Sequence, residues 1–418
     1  MAAYLLPGDI LMPDFSKVEG EKWAVVACDQ YTSEPEYWNA VQAKVGDAPS
    51  TLKLTLPEIY LEDAEARVPQ IHAAMDDYAR NLLVTHQNKM IYLERTQSNG
   101  LVRRGLVGMI DLEHYDYNKG SKSLIRATEG TVLERIPPRL AVRRDAALEL
   151  PHVMLLIDDP QRTVIEPIAA RSAQLESAYD FPLMQKSGSV KGYFVDSVGI
   201  GRVTNALEKL LSPEQQKRKY GDGVAPLLFA VGDGNHSLAT AKAAYEEIKA
   251  QYGDKALYHP ARYALAEVVN LHDEALHFEP IYRVMFGVDP DEVLAALEEY
   301  SFSLAGNVAP QQAKFISSTR KGTIHFGAPS EQLVVGTLQT FIDRYLATHE
   351  GASVDYIHGS RTVEMLAAKE NAVGFLFSGM EKSELFRAVM HDGALPRKTF
   401  SMGAAADKRF YLECRKIR

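Results

Sequence analysis

Cysteine is nearly absent. Cys28 and Cys414 are the only two in 418 residues, too few for a disulfide framework or a four-cysteine zinc site, so a reducing, cytoplasmic setting is expected. A basic excess is missing as well: the formal net charge is −9 and the pI about 5.8, which removes the positive field that holds a nucleic-acid backbone. No stretch approaches the roughly 20 apolar residues of a membrane span, and residues 1–9 lack the basic segment and long apolar core of a secretory signal. Nucleic acid and membrane are therefore not expected partners. No internal repeat or low-complexity tract breaks the chain, and 46% hydrophobic content is material for two or three folding units.

The two common phosphate-binding fingerprints are missing too, since there is neither a G-x-G-x-x-G nor a P-loop ending in Gly-Lys-Ser/Thr. What the chain has instead is the stretch 227–249. Leu227 to Val231 is a short apolar run suited to a buried strand, and the alanine-rich segment after Ser237 has helical periodicity. Between them lie Gly232, Asp233, Gly234, Asn235, His236 and Ser237. The glycines can take positive φ and let a ligand approach the main chain, and Asn235 or Ser237 suits the helix N-cap. Backbone N–H groups and the positive end of a helix dipole then converge on one point, which is what a phosphate or carboxylate needs. A plain tight connection would account for the glycines but not for four polar side chains in five residues.

Elsewhere the pattern predicts a strand around Trp23 to Cys28 that empties into Asp29, Gln30, Thr32 and Ser33, and strand ends of this kind carry site residues in α/β proteins. Ser33 also reads as a cap for a helix that continues to Lys44. A long helix is expected over 62–86, and a β-hairpin over 90–111 with Asn99-Gly100 at its turn. Helical character is expected over 134–150, with Arg135, Arg139, Arg143 and Arg144 bunched, and again from Arg162 up to Tyr179. Buried strands are expected at 152–158 and 262–272, and a polar connection at 212–223. His272 and His277 lie close together, yet their spacing fits no standard zinc pattern, so no metal site is assigned. The segment from Arg126 through Glu129 to Thr131 sets a cation, a carboxylate and hydroxyls near a strand end. Near the C-terminus, Arg397 and Lys398 lie on a loop ahead of a terminal strand. Composition shifts suggest an N-terminal α/β region (1–88), a central mixed-sheet region with the glycine turn (89–288) and a C-terminal α+β region (289–418).

The order Val-Gly-Asp-Gly-Asn-His-Ser (231–237), Phe-Glu-Pro-Ile-Tyr-Arg (278–283), Asp-Tyr-Ile-His-Gly (355–359) and Leu-Pro-Arg-Lys-Thr-Phe (395–400), with Gly105 to Gly108 and the Ala-Thr-Glu129 segment, resembles the bacterial and archaeal family known as Domain of Unknown Function 1015. The usual family form of the turn is Asp-Gly-His-His-Arg, which is similar to the phosphate-binding turn of ParB and sulfiredoxin-like proteins, a group that includes free serine kinases. The resemblance implies an α/β (mixed α+β) fold with a nucleotide-binding core and additional α+β regions. Here the turn keeps Asp233, Gly234 and His236 but carries Asn235 and Ser237 in the other two places. The cation lost with the arginine would have to come from elsewhere, with Arg397 or Lys398 as the candidates.

These readings lead to phosphoryl transfer onto a small hydroxylated metabolite. Glu129, Asp233 and His236 are the catalytic candidates, and Gly232, Gly234, Asn235, Ser237, Arg126, Arg397 and Lys398 are the phosphate- or nucleotide-binding ones. The implied cofactor is a nucleotide carrying Mg2+, because such transfer rests on positioning and charge neutralisation. A nucleotide- or metabolite-binding regulator without turnover is the first alternative. A hydrolase using His236 is the second, opposed because Ser237, adjacent on a helix start, does not face it. Homo-oligomerisation stays open.

Overall fold

The computed structural model describes residues 4–130 and 136–418. Thr131 and Arg135 lie outside the described residues. The chain forms a mixed α/β structure in two compact units: 1–276 together with 404–418, and 277–403. The breaks fall at 276/277 and 403/404, whereas the composition shifts lie at 88/89 and 288/289. Residues from 10–78 and 410–417 share one hydrophobic core, so chain contiguity does not set the units.

The first unit is built on a nine-stranded sheet. From one edge its order is Glu176–Pro182, Ser189–Phe194, Ile91–Thr96, Val102–Asp111, Tyr263–Asn270, Met154–Ile157, Phe229–Asp233, Ile125–Ala127 and Tyr115–Asp116. Both faces are buried because successive side chains point to opposite sides. Ile91, Leu93, Val107 and Leu265 enter one core with Trp23 and Trp38. Tyr92, Leu106, Ala266 and Val268 enter the other with Phe229, Leu238 and Tyr245. The hairpin forms as expected, with Ile91 opposite Val107, Thr96 opposite Val102 and Gly100 at φ +84° in its turn.

Three strands and one helix position the candidate site: β1 (Ile125–Ala127), β2 (Met154–Ile157), β3 (Phe229–Asp233) and α1 (Asn235–Tyr252). β3 pairs parallel with β1 and antiparallel with β2. The C-terminal ends of β1 and β3 therefore meet the N-terminal end of β2. Thr128 locks the first two by donating from Oγ1 to the Val231 carbonyl at 2.6 Å.

Several local expectations are overruled. The helix expected over 62–86 runs Ala64–Asn81, because Leu83–Lys89 leaves it to pair antiparallel with Gly8–Pro13. The helical reading up to Tyr179 yields a short helix at Glu166–Ala169 and then the strand Glu176–Pro182, held against Ser189–Phe194. The polar connection at 212–223 contains a helix, Pro213–Tyr220, which Ser212 caps by accepting from the Gln215 N–H. Ser33 does not cap the helix Pro35–Val45, whose N-cap position is Glu34.

The second unit holds an antiparallel sheet in the order Lys321–Phe326, Gln311–Ile316, Ala372–Leu376, Phe278–Phe286, Ser353–His358. Phe400–Met402 adds to the start of Phe278–Phe286. The unit also holds the helices Pro290–Ser303 and Val334–Thr348.

Candidate functional site

The strand-turn-helix junction is as the sequence implies, but the cap differs. Gly234 itself is the N-cap, at φ 79° and ψ 27°, and α1 begins with no side-chain cap. Asn235 and Ser237 are the first and third helical residues instead, so their side chains are released from capping. A left-handed residue is needed here, and the space confirms it. A Cβ on Gly234 would lie 3.0 Å from Val153 Cα and 3.4 Å from His152 Cδ2. The positive end of an 18-residue helix is thus pressed against the segment that leads into β2.

That segment carries His152, which is 3% exposed. Its Nε2 lies 3.5 Å from Asp29 Oδ2 and 3.3 Å from Ser237 Oγ, and its Nδ1 lies 2.8 Å from Tyr411 Oη. Burial opposes a charge on the ring, but the Asp29 carboxylate, helped by Asp233, outweighs burial and raises the imidazole above its ordinary value. Asp29 is depressed in turn, burial being overcome by the charge and hydrogen bond of His152. Cys28, next to Asp29, is disfavoured as a thiolate: burial and that carboxylate push its thiol up to about 12. Asp233 accepts the Gly234 N–H at 3.0 Å and pairs with Lys408 Nζ at 3.3 Å.

One consequence is testable by NMR. The His152 imidazole should titrate above 6.5, and in Asp29→Asn, with burial left to dominate, below it. A group whose folded value is raised stabilises fully below its unfolded value and loses that contribution as pH rises through the folded one. The His152 part of the pair's stability should therefore fade on the alkaline side of 6.5. A wild-type midpoint at or below 6.5 would contradict the pairing.

Below the turn lies a cavity of ≈ 150 Å³. Leu54, Leu56, Met75, Leu150, Leu238 and Ala241 give it an apolar interior, and Cys28, His152, Ser237 and Tyr411 supply polar atoms. Glu58 and Arg139 also line it and form an ion pair.

The sequence candidates divide as follows. Gly232, Asp233, Gly234, Asn235, His236 and Ser237 form one junction. Glu129 follows β1, whose register beside β3 (Ala127 opposite Val231) brings it to the same sheet end. Asn235 Oδ1 is buried without a hydrogen-bond partner among the described residues. Arg126 is not brought to the turn. It is 2% exposed, and its guanidinium donates to the carbonyls of Ser123, Ala225 and Pro226, clasping the loop that enters β3. Arg397 and Lys398 belong to the second unit, where they stack on Tyr356. His272 pairs with Asp158 Oδ1 at 2.7 Å, and no group of three His, Cys, Asp or Glu among the described residues is placed to hold a metal. No described helix is long and apolar enough to cross a membrane.

His152, Lys408 and Tyr411 were not legible as site residues. Asp29 was flagged only by its place after a strand. Lys408 and Tyr411 arrive because the chain returns to the first unit at its end, and the anchor is ionic. Arg409 reaches Glu267 at 2.8 Å and Glu413 at 2.5 Å, and donates to the Pro151 carbonyl. Arg103 holds the other Glu267 oxygen at 3.3 Å. Gly105 makes room for that carboxylate, since a Cβ there would lie 2.6 Å from Glu267 Oε1.

Fold and site together define a mixed α/β protein with an uncapped helix start set among paired charges. Residues 14–382 match the family described as Protein of unknown function (DUF1015), and the chain belongs to that family. No curated protein matches the chain. Among solved structures it is similar to a free serine kinase in complex with AMP, at 11% identity and TM-score 0.38, over 75% of this chain and 91% of that one. A variant of a free serine kinase in complex with ADP gives 11% and 0.39, over 75% and 92%. A conserved hypothetical protein from Pyrococcus furiosus gives 11% and 0.35, over 75% and 95%.

Proposed function

We propose that the first unit binds the phosphates of a nucleotide at Gly232–Ser237 and transfers a phosphoryl group to a small hydroxylated metabolite. The observation that carries this reading is the uncapped start of α1, which opens beside the Asp233–Lys408 pair and above a cavity lined by Ser237 and His152. The first turn of α1 and Ser237 Oγ receive the phosphates, as a helix start receives any oxyanion. Lys408 takes the neutralising role left open at position 237. His236 orients the phosphates, and Asp233 faces Mg2+ that enters with the nucleotide. Glu129 is the base for the acceptor hydroxyl, and the acceptor's body occupies the cavity. Positioning and charge neutralisation suffice for this chemistry.

Hydrolysis by Ser237 gains some support from its 3.3 Å approach to His152. It is opposed by Asp29, which approaches the same nitrogen and stabilises the protonated ring, making it a poorer acceptor for the serine proton.

Calorimetry with ATP and Mg2+, joined to a product assay over small alcohols, tests the reading. Binding is expected, and Lys408→Met should weaken it about tenfold, the worth of one charge-assisted hydrogen bond. Ala241→Leu, which fills the cavity, should abolish phosphorylated product while nucleotide still binds. Unchanged turnover with a gain in stability would make the cavity a packing void. Binding without any phosphorylated product would leave a nucleotide-binding regulator.

A further inference from the structure

We propose that the second unit carries an anion site of its own, formed by Arg397 and Lys398 around Tyr356 and suited to a phosphate group. This site lies wholly within 277–403 and does not depend on how the glycine turn is read.

Three cationic groups gather on one ring: Arg283, Lys398 and Arg397 lie 4.7, 5.1 and 5.6 Å from the Tyr356 centroid. A cation over a tyrosine ring is attracted to its π face, whereas like charges held this close oppose one another. Arg397 and Lys398 are both exposed, and neither is paired with a carboxylate among the described residues. Free lysine and arginine side chains ordinarily spread into solvent. Here both lie over one tyrosine ring.

Lys398 sits at φ +53°, a left-handed conformation that is unfavourable for an L-residue with a Cβ. Such outliers persist only where the surroundings over-determine them, and they collect at binding sites. The determinants are visible. Buried Arg283 donates to the carbonyls of Lys398 at 3.0 Å and Arg397 at 3.2 Å, and its Nε is steadied by Gln339 Oε1 at 2.8 Å. Thr399 Oγ1 closes the turn on the Pro396 carbonyl at 2.7 Å. Tyr356, directly across the sheet from Arg283, then sets the direction of Arg397 by accepting its Nε–H at 2.8 Å. The remaining guanidinium donors of Arg397 and the ammonium of Lys398 thus lie about the same ring. A planar fork beside a point charge matches a phosphate group, and most of the ordering cost of binding has been met in folding.

The test uses the full chain and inorganic phosphate, followed by NMR of the Arg397 Nε–H and the Lys398 side chain, with acetate and chloride as comparison anions. Phosphate should shift both signals saturably, more strongly than acetate at equal ionic strength, and less as sodium chloride is added. The double variant Arg397→Gln with Lys398→Gln should lower phosphate affinity at this site at least tenfold. Tyr356→Phe keeps every charge but releases the Arg397 fork, and should weaken phosphate several-fold while leaving the chloride response unchanged. Equal responses to phosphate, acetate and chloride would reduce the cluster to a diffuse positive patch and overturn the proposal. So would phosphate shifts confined to residues 232–237. Loss of nucleotide binding at the turn with this response intact would sink the proposed function alone.

Discussion

Gly234→Ala is expected to destabilise the protein by about 2–3 kcal/mol and to lower nucleotide affinity at least tenfold. Left-handed backbone costs an alanine about 1–2 kcal/mol, and its Cβ would press on Val153 Cα, a backbone atom 3.0 Å away that cannot rotate aside. The strain is relieved by moving the start of α1 off the segment that carries His152, so the proposed phosphate site moves with it. Gly253→Ala is the control. Gly253 is also at positive φ, +56°, with nothing within 4 Å of its would-be Cβ, and it caps the far end of α1, roughly 27 Å away at the helical rise. Its ψ of −138° places it in a different positive-φ region, so it should show a backbone cost of its own without the loss of binding. Denaturant unfolding and calorimetry on both variants decide the matter. Wild-type affinity in Gly234→Ala would remove the turn from the site.

Glu267→Gln should cost more, about 3–5 kcal/mol, the usual consequence of removing one partner from a buried ionic set. Glu267 is fully buried and bonded to Arg103 and Arg409. Despite burial, those two cations hold its carboxyl below the ordinary value of 4.5. A depressed carboxylate stabilises above its unfolded value and loses that contribution as pH falls through the folded one. The gap between wild type and variant should accordingly be full at neutral pH and shrink on acidification below about 4.5. A functional effect should follow the structural one. Arg409 is the residue after Lys408, and loosening it frees the terminal segment, so nucleotide affinity should fall together with stability. A stability loss with affinity intact would show that Lys408 is held by Asp233 alone.

How much of this was legible can be argued from particular residues. The junction at 232–237 and the hairpin about Asn99-Gly100 were, because glycine turns and apolar runs act over a few residues. The cap was expected at Asn235 or Ser237 but falls at Gly234, since a glycine already left-handed starts the helix without a side-chain acceptor. The first parts of the strands Leu83–Lys89 and Glu176–Pro182, up to His86 and Tyr179, were read as helix, because the partners that make them strands, Gly8–Pro13 and Ser189–Phe194, are invisible to local periodicity. Arg126 looked like a phosphate ligand beside Glu129, yet three carbonyls claim it.

By itself, then, the sequence determined the mixed α/β class, the glycine turn with its helix, and family membership through motifs in order. Only the tertiary structure decided that His152 stands under that turn between Asp29, Ser237 and Tyr411, that Lys408 reaches Asp233 from 175 positions away in the chain, and that Arg397 and Lys398 are gathered on Tyr356. Periodicity and turn chemistry are short-range properties written residue by residue. Which charges must compensate one another is set by strand pairing and burial across the whole chain.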